Sequence, residues 1–246
     1  MNLIWHIIKK DLRRFRLPIS IWAFACAIVL KLNLDSALSV NARVPTTGQE
    51  ATVLSTMAAF MLSVALLGWI VQEDSLANPG AFWQSRPISG KQLLAAKSLL
   101  VFVLLVFLPT LVDHACLRWQ HSDLFSSHAF ISFGSGLFSL TAIMLYGMAI
   151  AAATRDNGSF VLGAIIAIGS YLGPPVAGIL LNHPAAPPAS AIFTSIAVIG
   201  TGGAAALLNQ YLRRRTRLTF VILGATIIVS MLVCQLWKLP LPALHR

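Results

Sequence analysis

Residues 130–153 read FISFGSGLFSLTAIMLYGMAIAAA, a run of 24 residues without a single Asp, Glu, Lys or Arg. An α-helix rises about 1.5 Å per residue, so a helix of this length extends roughly 36 Å. The hydrocarbon core of a bilayer is only about 30 Å thick. The run also lacks the strict alternation of apolar and polar residues that a barrel strand needs. This stretch therefore predicts a membrane-spanning α-helix, in which the backbone groups pair within the segment.

Six further apolar stretches of similar length lie on either side of this run. They are Leu17–Leu34, Ala51–Val71, Leu93–Val112, Phe160–Leu181, Ala191–Leu212 and Leu218–Trp237. Of the 246 residues, 57% are hydrophobic and only 11% are charged, whereas a soluble domain has about 25% charged residues. We therefore predict an all-α, polytopic transmembrane helical bundle with seven spans and no soluble domain.

Basic residues cluster at alternate ends of the predicted spans. If the N-terminus is cytoplasmic, the segments on that side hold 13 of the 18 Lys and Arg residues, and the other side holds 5. The 13 are Lys9, Lys10, Arg13, Arg14, Arg16, Arg86, Lys91, Lys97, Arg155, Arg213, Arg214, Arg215 and Arg217. This is the positive-inside bias that orients helical membrane proteins. Topology thus explains the net charge of +10, and we expect no nucleic-acid partner.

The first 16 residues have the pattern of an amphipathic helix. Apolar residues recur at helical spacing, and basic residues occupy the other side. The apolar set is Leu3, Ile4, Ile7, Ile8, Leu12 and Phe15, and the basic set is Lys9, Lys10, Arg13 and Arg14. We predict a helix that lies on the cytoplasmic surface. Its role is either to anchor the chain or to act as a lever that contacts a cytosolic partner.

The longest predicted cytoplasmic loop, residues 73–92, has recognisable boundaries. Glu73 and Asp74 follow directly after the second span. Ser89 and Gln92 have the spacing of a capping box, in which each residue pairs with the backbone of the other, and this box predicts the start of the third span.

Within this loop, the sequence predicts a short helix that presents two aromatic residues. Asn78 and Pro79 suit the N-cap and the first helical position. Arg86 precedes a proline, which ends the helix. Phe82 and Trp83 lie between these limits. Large aromatic residues exposed on such a helix are typical of a protein-binding surface. The alternative is that they lie among lipid headgroups, where Trp is common.

Proline and glycine residues predict irregular backbone at both ends of the fifth span. Gly173, Pro174 and Pro175 fall near the outer end of the fifth span, where two prolines should break or kink the helix. We predict that residues 171–190 re-enter or cap the outer face, with an ordinary kinked helix as the alternative. Asn157 and Gly158 suit a tight turn with positive φ.

Sequence motifs for catalysis are absent. The chain contains no phosphate-binding loop of the form G-x-x-x-x-G-K-[ST] and no H-E-x-x-H zinc motif. Cys26, Cys116 and Cys234 are isolated, so we predict no metal site. Charged residues inside the predicted spans are scarce, and Lys31 and Lys97 lie near span ends, where their side chains can extend to the interface. We therefore expect a non-enzymatic protein whose energy source is external.

Two features of the chain resemble the permease subunits of type-2 ATP-binding-cassette (ABC) exporters. One is the basic start KKDLRR at 9–14 leading into the first span. The other runs from Glu73–Asp74 through AFWQSRPIS at 81–89 to LLAAK at 93–97. The resemblance covers about the first 215 residues, as topology plus this one motif. It implies an interface helix at 1–16, a six-span permease domain at 17–212, and outer helices at 173–190. Residues 213–246, with a basic turn and a seventh span, depart from the six-span pattern.

The resemblance also implies a function and partners. It implies a transport subunit of the bacterial cytoplasmic (inner) membrane that dimerises with a second permease subunit. Two cytosolic ATPase subunits would bind ATP and Mg, and this chain would bind no cofactor. The residues implied to couple to the ATPase are Glu73, Asp74, Pro79, Phe82, Trp83 and Arg86, and Gly173, Pro174 and Pro175 would form an outer gate. A hydrophobic or amphipathic substrate is expected. The alternative is a non-transporting membrane anchor or sensor.

Cysteine labelling tests the predicted orientation. In a chain without its native cysteines, Arg155→Cys and Arg213→Cys should react with a membrane-impermeant maleimide only after the cells are opened. Both positions lie in basic segments, which the positive-inside bias assigns to the cytoplasm. Labelling of either cysteine in intact cells would contradict the prediction.

Overall fold

The computed structural model describes residues 3–39, 47–73, 89–120, 127–154, 156–180 and 189–236. All regular secondary structure in these ranges is helical, which confirms the all-α prediction. The helices are α1 (Leu3–Arg14), α2 (Arg16–Ser39), α3 (Thr47–Gln72), α4 (Gly90–Val101), α5 (Leu108–Gln120), α6 (Ser127–Ala153), α7 (Asn157–Leu180), α8 (Ala189–Leu208) and α9 (Thr216–Leu236). The first π segment, Phe102–Phe107, joins α4 to α5, and the second π segment, Asn209–Arg213, extends α8.

Five helical stretches in the described ranges are long and apolar enough to cross a membrane. They are Val53–Gln72, Gly90–Ala115, Phe130–Ala153, Ser190–Arg213 and Thr216–Val233. A sixth candidate is α1 together with α2, a pair that is bent by 73°. Helix α7 contains a shorter apolar stretch, Asn157–Gly169. The helices indicate a multi-pass membrane protein, and the total of seven spans stays a prediction.

Two predicted irregularities can be compared with the structure. Helix α7 continues through Pro174 and Pro175 to Leu180, so the helix does not break at the proline pair. Helices in a membrane bundle tolerate proline because neighbouring groups satisfy the backbone that it leaves unpaired. The positive φ predicted at Asn157 and Gly158 is wrong, because α6 ends at Ala153 and both residues already belong to the first turn of α7. Residues 181–188 of the predicted outer segment lie outside the described residues.

Four connections of the bundle meet at one end, which we call the basic end. They are the α1–α2 bend, the region where α3 ends and α4 begins, the α6–α7 connection and the α8–α9 connection. Gln72 Nε2 at the end of α3 donates to Thr154 Oγ1 after α6, at 2.9 Å. Gly90 at the start of α4 packs directly against the carbonyl of Tyr211 in the second π segment. The structure therefore brings the segments predicted to be cytoplasmic to the same end of the bundle.

Helices α6, α8 and α9 pack closely through small and hydroxyl-bearing residues. A Cβ atom added to Gly203 of α8 would lie 2.7 Å from the backbone nitrogen of Tyr146 in α6. The Tyr146 hydroxyl donates to the carbonyl of Leu223 in α9 at 2.8 Å, and the hydroxyls of Ser195 in α8 and Ser230 in α9 lie 2.5 Å apart. Small residues and such hydrogen bonds are typical of helix contacts in membranes. Helix α9 is thus an integral part of the bundle.

Substitution of two glycines tests this packing. Gly203→Ala should lower the free energy of unfolding by about 1–3 kcal/mol, because the added methyl group meets backbone that has no room to move. Gly224→Ala in α9 is the matched control, since nothing lies within 4 Å of its added Cβ. The control should be neutral or slightly stabilising, because alanine is favoured over glycine in helices. Thermal unfolding in detergent measures both, and equal melting temperatures would contradict the packing.

Candidate functional site

Helix α1 lies across the basic end and packs against α4. The 73° bend between α1 and α2 turns it away from the direction of the span. Ile7 and Ile8 are buried against the bundle, whereas Lys9 and Arg13 are exposed. The predicted amphipathic helix is confirmed, and its apolar face contacts protein. Helix α1 is therefore held against the helices beneath it.

A buried ion pair joins α1 to two of these helices. Lys97 Nζ in α4 donates to Asp11 Oδ2 in α1 and to the backbone oxygen of Ile70 in α3, both at 2.7 Å. The side chains of Lys97 and Asp11 are 0% and 1% exposed. Ile70 lies in the last turn of α3, where carbonyls lack partners within the helix. One ammonium group therefore ties three helices together; we call Asp11, Lys97 and the Ile70 carbonyl the buried tie.

The buried tie corrects two sequence predictions. Lys97 does not extend to the interface as predicted, because α1 covers that end of α4 and the ammonium is enclosed. The predicted apolar face of α1 included Leu12, but Leu12 is 36% exposed while Asp11 is buried. The sequence pattern of α1 alone did not predict the burial of Asp11. Lys97 itself could have indicated a buried ion pair, because a cation within an apolar span requires a partner.

A second, more exposed contact holds α1 to the end of α3. Arg14 forms an ion pair with Glu73, and the two side chains are 63% and 14% exposed. Glu73 is the last described residue before the gap at 74–88. Lys10 Nζ lies 3.6 Å from Asp11 Oδ1, on the outer side of the buried tie. Helix α1 is thus attached at the point where the chain leaves α3.

Capping interactions fix where the helices at the basic end begin. Gln92 N donates to Ser89 Oγ and Ser89 N donates to Gln92 Oε1, both at 3.3 Å, which confirms the predicted capping box. At the start of α7, Ser159 N and Oγ both donate to the Asp156 carboxylate at 2.9 Å. Gln72 Nε2 also donates to the Asp156 carbonyl at 2.9 Å. The end of α3 and the start of α7 are therefore positioned relative to each other.

An open cleft of about 420 Å³ lies between the α1–α2 bend, the end of α3 and the start of α7. It is lined by Arg14, Phe15, Trp69, Gln72, Glu73, Asp156 and Asn157. The charged side chains in this lining are engaged with one another or with the α7 cap. The cleft therefore offers no buried charge to hold a substrate, and we assign it no binding role.

The structure brings only some of the predicted site residues together. Lys9, Lys10, Arg13 and Arg14 all lie on α1 at the basic end. Of the predicted coupling residues, Glu73 also lies there, whereas Asp74, Pro79, Phe82, Trp83 and Arg86 lie outside the described residues. The predicted outer gate lies in the part of α7 away from the basic end. Its residues, Gly173, Pro174 and Pro175, begin roughly 24 Å along the helix from Asn157. Among the residues that the structure describes, no group of three or more His, Cys, Asp or Glu side chains is arranged to hold a metal ion.

Comparison with known proteins gives no relative. No protein-family model matches the chain, and no curated protein or solved structure matches it either. The function is therefore argued from the residues and contacts of this chain.

Substitution of Lys97 tests the buried tie. Lys97→Met alone should destabilise the protein by about 3–5 kcal/mol, because the buried Asp11 loses its hydrogen-bonded partner and keeps only the longer contact with Lys10 at 3.6 Å. The double variant Asp11→Leu, Lys97→Met should recover most of that loss, since an apolar pair needs no compensating charge. Glu73→Gln is the control: it removes a largely exposed pair and should cost about 0–1 kcal/mol. Thermal unfolding in detergent checks all three, and a double variant no more stable than Lys97→Met would contradict the prediction.

Proposed function

We propose that this chain is the membrane-spanning permease subunit of an ABC exporter in a bacterial cytoplasmic membrane. It pairs with a second permease subunit, and two cytosolic ATPase subunits bind the ATP and Mg²⁺. Closure of the ATPases on ATP acts on the segment 73–92, and the spans then change which side of the membrane they open to, as in other rigid-body switches. Because charged residues are scarce in the predicted spans, the exported substrate is hydrophobic or amphipathic.

The observation that carries this proposal is the attachment of α1 to the helices on both sides of residues 74–88. Helix α3 ends directly before that segment, and α4 begins directly after it. The buried tie links α1 to both helices, and the Arg14–Glu73 pair reinforces the link. A force on the segment would therefore reach α1, α3 and α4 together. Such a linkage suits a protein in which a force applied outside the membrane moves the membrane-spanning helices.

The sequence adds two reasons for a separate source of energy. The chain has no phosphate-binding loop of its own. It also has few intramembrane acidic or basic residues of the kind that carry coupling ions in secondary transporters. Phe82 and Trp83 supply the expected contact, because large aromatic side chains in a partner groove dominate many protein interfaces.

Replacement of Phe82 and Trp83 tests the proposed contact with the ATPase. Phe82→Ala, Trp83→Ala changes no predicted span, so membrane expression should be retained. Each truncation should weaken ATPase association by about 2 kcal/mol or more if the residue fills a groove. Arg86→Ala should have a smaller effect, about 0–1 kcal/mol, if Arg86 forms an exposed ion pair. Pull-down of the ATPase at matched expression measures each variant.

Two controls separate this contact from a general loss of aromatic surface. Phe24→Ala, Phe193→Ala removes two aromatic side chains that are 69% and 44% exposed on α2 and α8, and it should leave ATPase recovery unchanged. Phe82→Leu, Trp83→Leu should reduce recovery if the rings fill a groove, and should preserve it if they only lie among headgroups. Undiminished ATPase recovery and transport in the double alanine variant would contradict the proposed contact between the ATPase and segment 73–92.

A further inference from the structure

The connection between α8 and α9 carries the densest positive charge in the chain. Arg213, Arg214, Arg215 and Arg217 lie within residues 213–217, and their side chains are exposed. We call this connection the arginine hairpin. None of the 8 Asp and Glu residues of the chain lies after Asp156, so the hairpin has no acidic residue near it in sequence.

The acidic side chains described at the basic end have other partners. Asp11 pairs with the buried Lys97, Glu73 pairs with Arg14, and Asp156 caps α7 through Ser159. Their negative charge is therefore already balanced or used within the bundle. Among the residues that the structure describes, no acidic side chain pairs with Arg213, Arg215 or Arg217, so these three arginines are open to a ligand from outside the chain.

The residues that flank the arginine hairpin indicate how deeply it lies in the membrane. The span of α8 ends at Arg213 and that of α9 begins at Thr216. Leu212 and Leu218 are 49% and 39% exposed on the outside of the bundle. Exposed leucines at the ends of two spans belong in the hydrocarbon, so the arginines lie less than one helical turn from it. At that depth the groups within reach of a guanidinium are lipid phosphates.

A buried network holds the backbone of the hairpin in one shape. Asn209 Nδ2 donates to the Arg215 carbonyl and to Thr219 Oγ1, both at 2.9 Å. Thr219 Oγ1 donates to Gln210 Oε1 at 3.1 Å. Asn209, Gln210 and Thr219 are all buried, and Arg214 adopts a left-handed conformation with φ 53° and ψ 33°. A site that is already ordered loses less entropy when its ligand binds.

We propose that the arginine hairpin binds the phosphate of an anionic phospholipid headgroup through Arg213, Arg215 and Arg217. Guanidinium groups pair two N–H donors with two phosphate oxygens and are weakly hydrated, so they suit this ligand. The start of α9, which has no acidic residue in its first turn, adds the positive end of a helix dipole. An acidic protein surface would have to enter the headgroup layer to reach the same groups, which favours the lipid.

Lipid titration of the purified full-length chain tests this site. Dioleoylphosphatidylglycerol should bind and raise the melting temperature in detergent, whereas dioleoylphosphatidylcholine should not, with bound lipid counted by native mass spectrometry. Arg213→Gln, Arg215→Gln, Arg217→Gln should weaken phosphatidylglycerol binding about tenfold or more. The matched control, Lys9→Gln, Arg13→Gln, Arg16→Gln, removes three charges from the same end and should change binding by about twofold at most if the hairpin is the site.

Two further variants keep the positive charge that orients the helices. Replacing Arg213, Arg215 and Arg217 with Lys retains that charge but removes the paired donors, and Asn209→Ala loosens the scaffold without touching an arginine. Both should weaken phosphatidylglycerol binding several-fold, with α8 and α9 still inserted in the same orientation. Unchanged binding in both variants would show that only net charge matters and would overturn the proposal.

Three other results would also overturn it. Equal loss of binding in the hairpin and α1 glutamine variants would indicate general attraction to anionic lipid at this end. Displacement of phosphatidylglycerol by millimolar inorganic phosphate would indicate a site for a soluble anion. Normal lipid binding by the hairpin variants together with loss of an associated protein would assign the arginines to an acidic protein surface.

Discussion

The architecture of the basic end depends on a lysine ammonium that has no access to water. Lys97 is completely buried in α4, and a buried cation is costly unless it is paired and hydrogen-bonded. Asp11 supplies the charge and the Ile70 carbonyl supplies a second acceptor. Because these groups belong to α1 and α3, satisfying Lys97 fixes both helices against α4. A shift of α1 along the bundle would separate the charges, so the pair favours one alignment.

This constraint connects the fold to the proposed activity. The tied helices flank residues 74–88, where the proposed ATPase contact lies, so movement of that segment would carry α1, α3 and α4 with it. On the other side of the bundle, α6, α8 and α9 are packed through Gly203 and through hydrogen bonds such as that from Tyr146 to Leu223. Helix α9 is therefore built into the bundle, and the arginine hairpin that precedes it is the proposed lipid site.

The sequence was sufficient to predict features that depend on local pattern. Long apolar runs predicted the helices, and the Ser89–Gln92 spacing predicted the start of α4. Features that depend on contacts between distant segments were not predicted. The pairing of Asp11 with Lys97 joins residues 86 positions apart, and the periodicity of α1 carries no information about such a distant partner. The sequence left open a broken or a kinked helix at Pro174 and Pro175, and α7 continues through both prolines.

The central claim is that an ATP-hydrolysing partner binds at the basic end, and cross-linking in native membranes tests it most directly. Lys9 and Lys91 are exposed at this end, and Lys31 in α2 is an exposed lysine away from it. An amine-reactive cross-linker followed by mass spectrometry should join Lys9 or Lys91 to a cytosolic protein with an ATP-binding phosphate loop, and should not join Lys31 to it. Capture of no ATP-binding protein at Lys9 and Lys91, or its capture at Lys31 alone, would contradict the account.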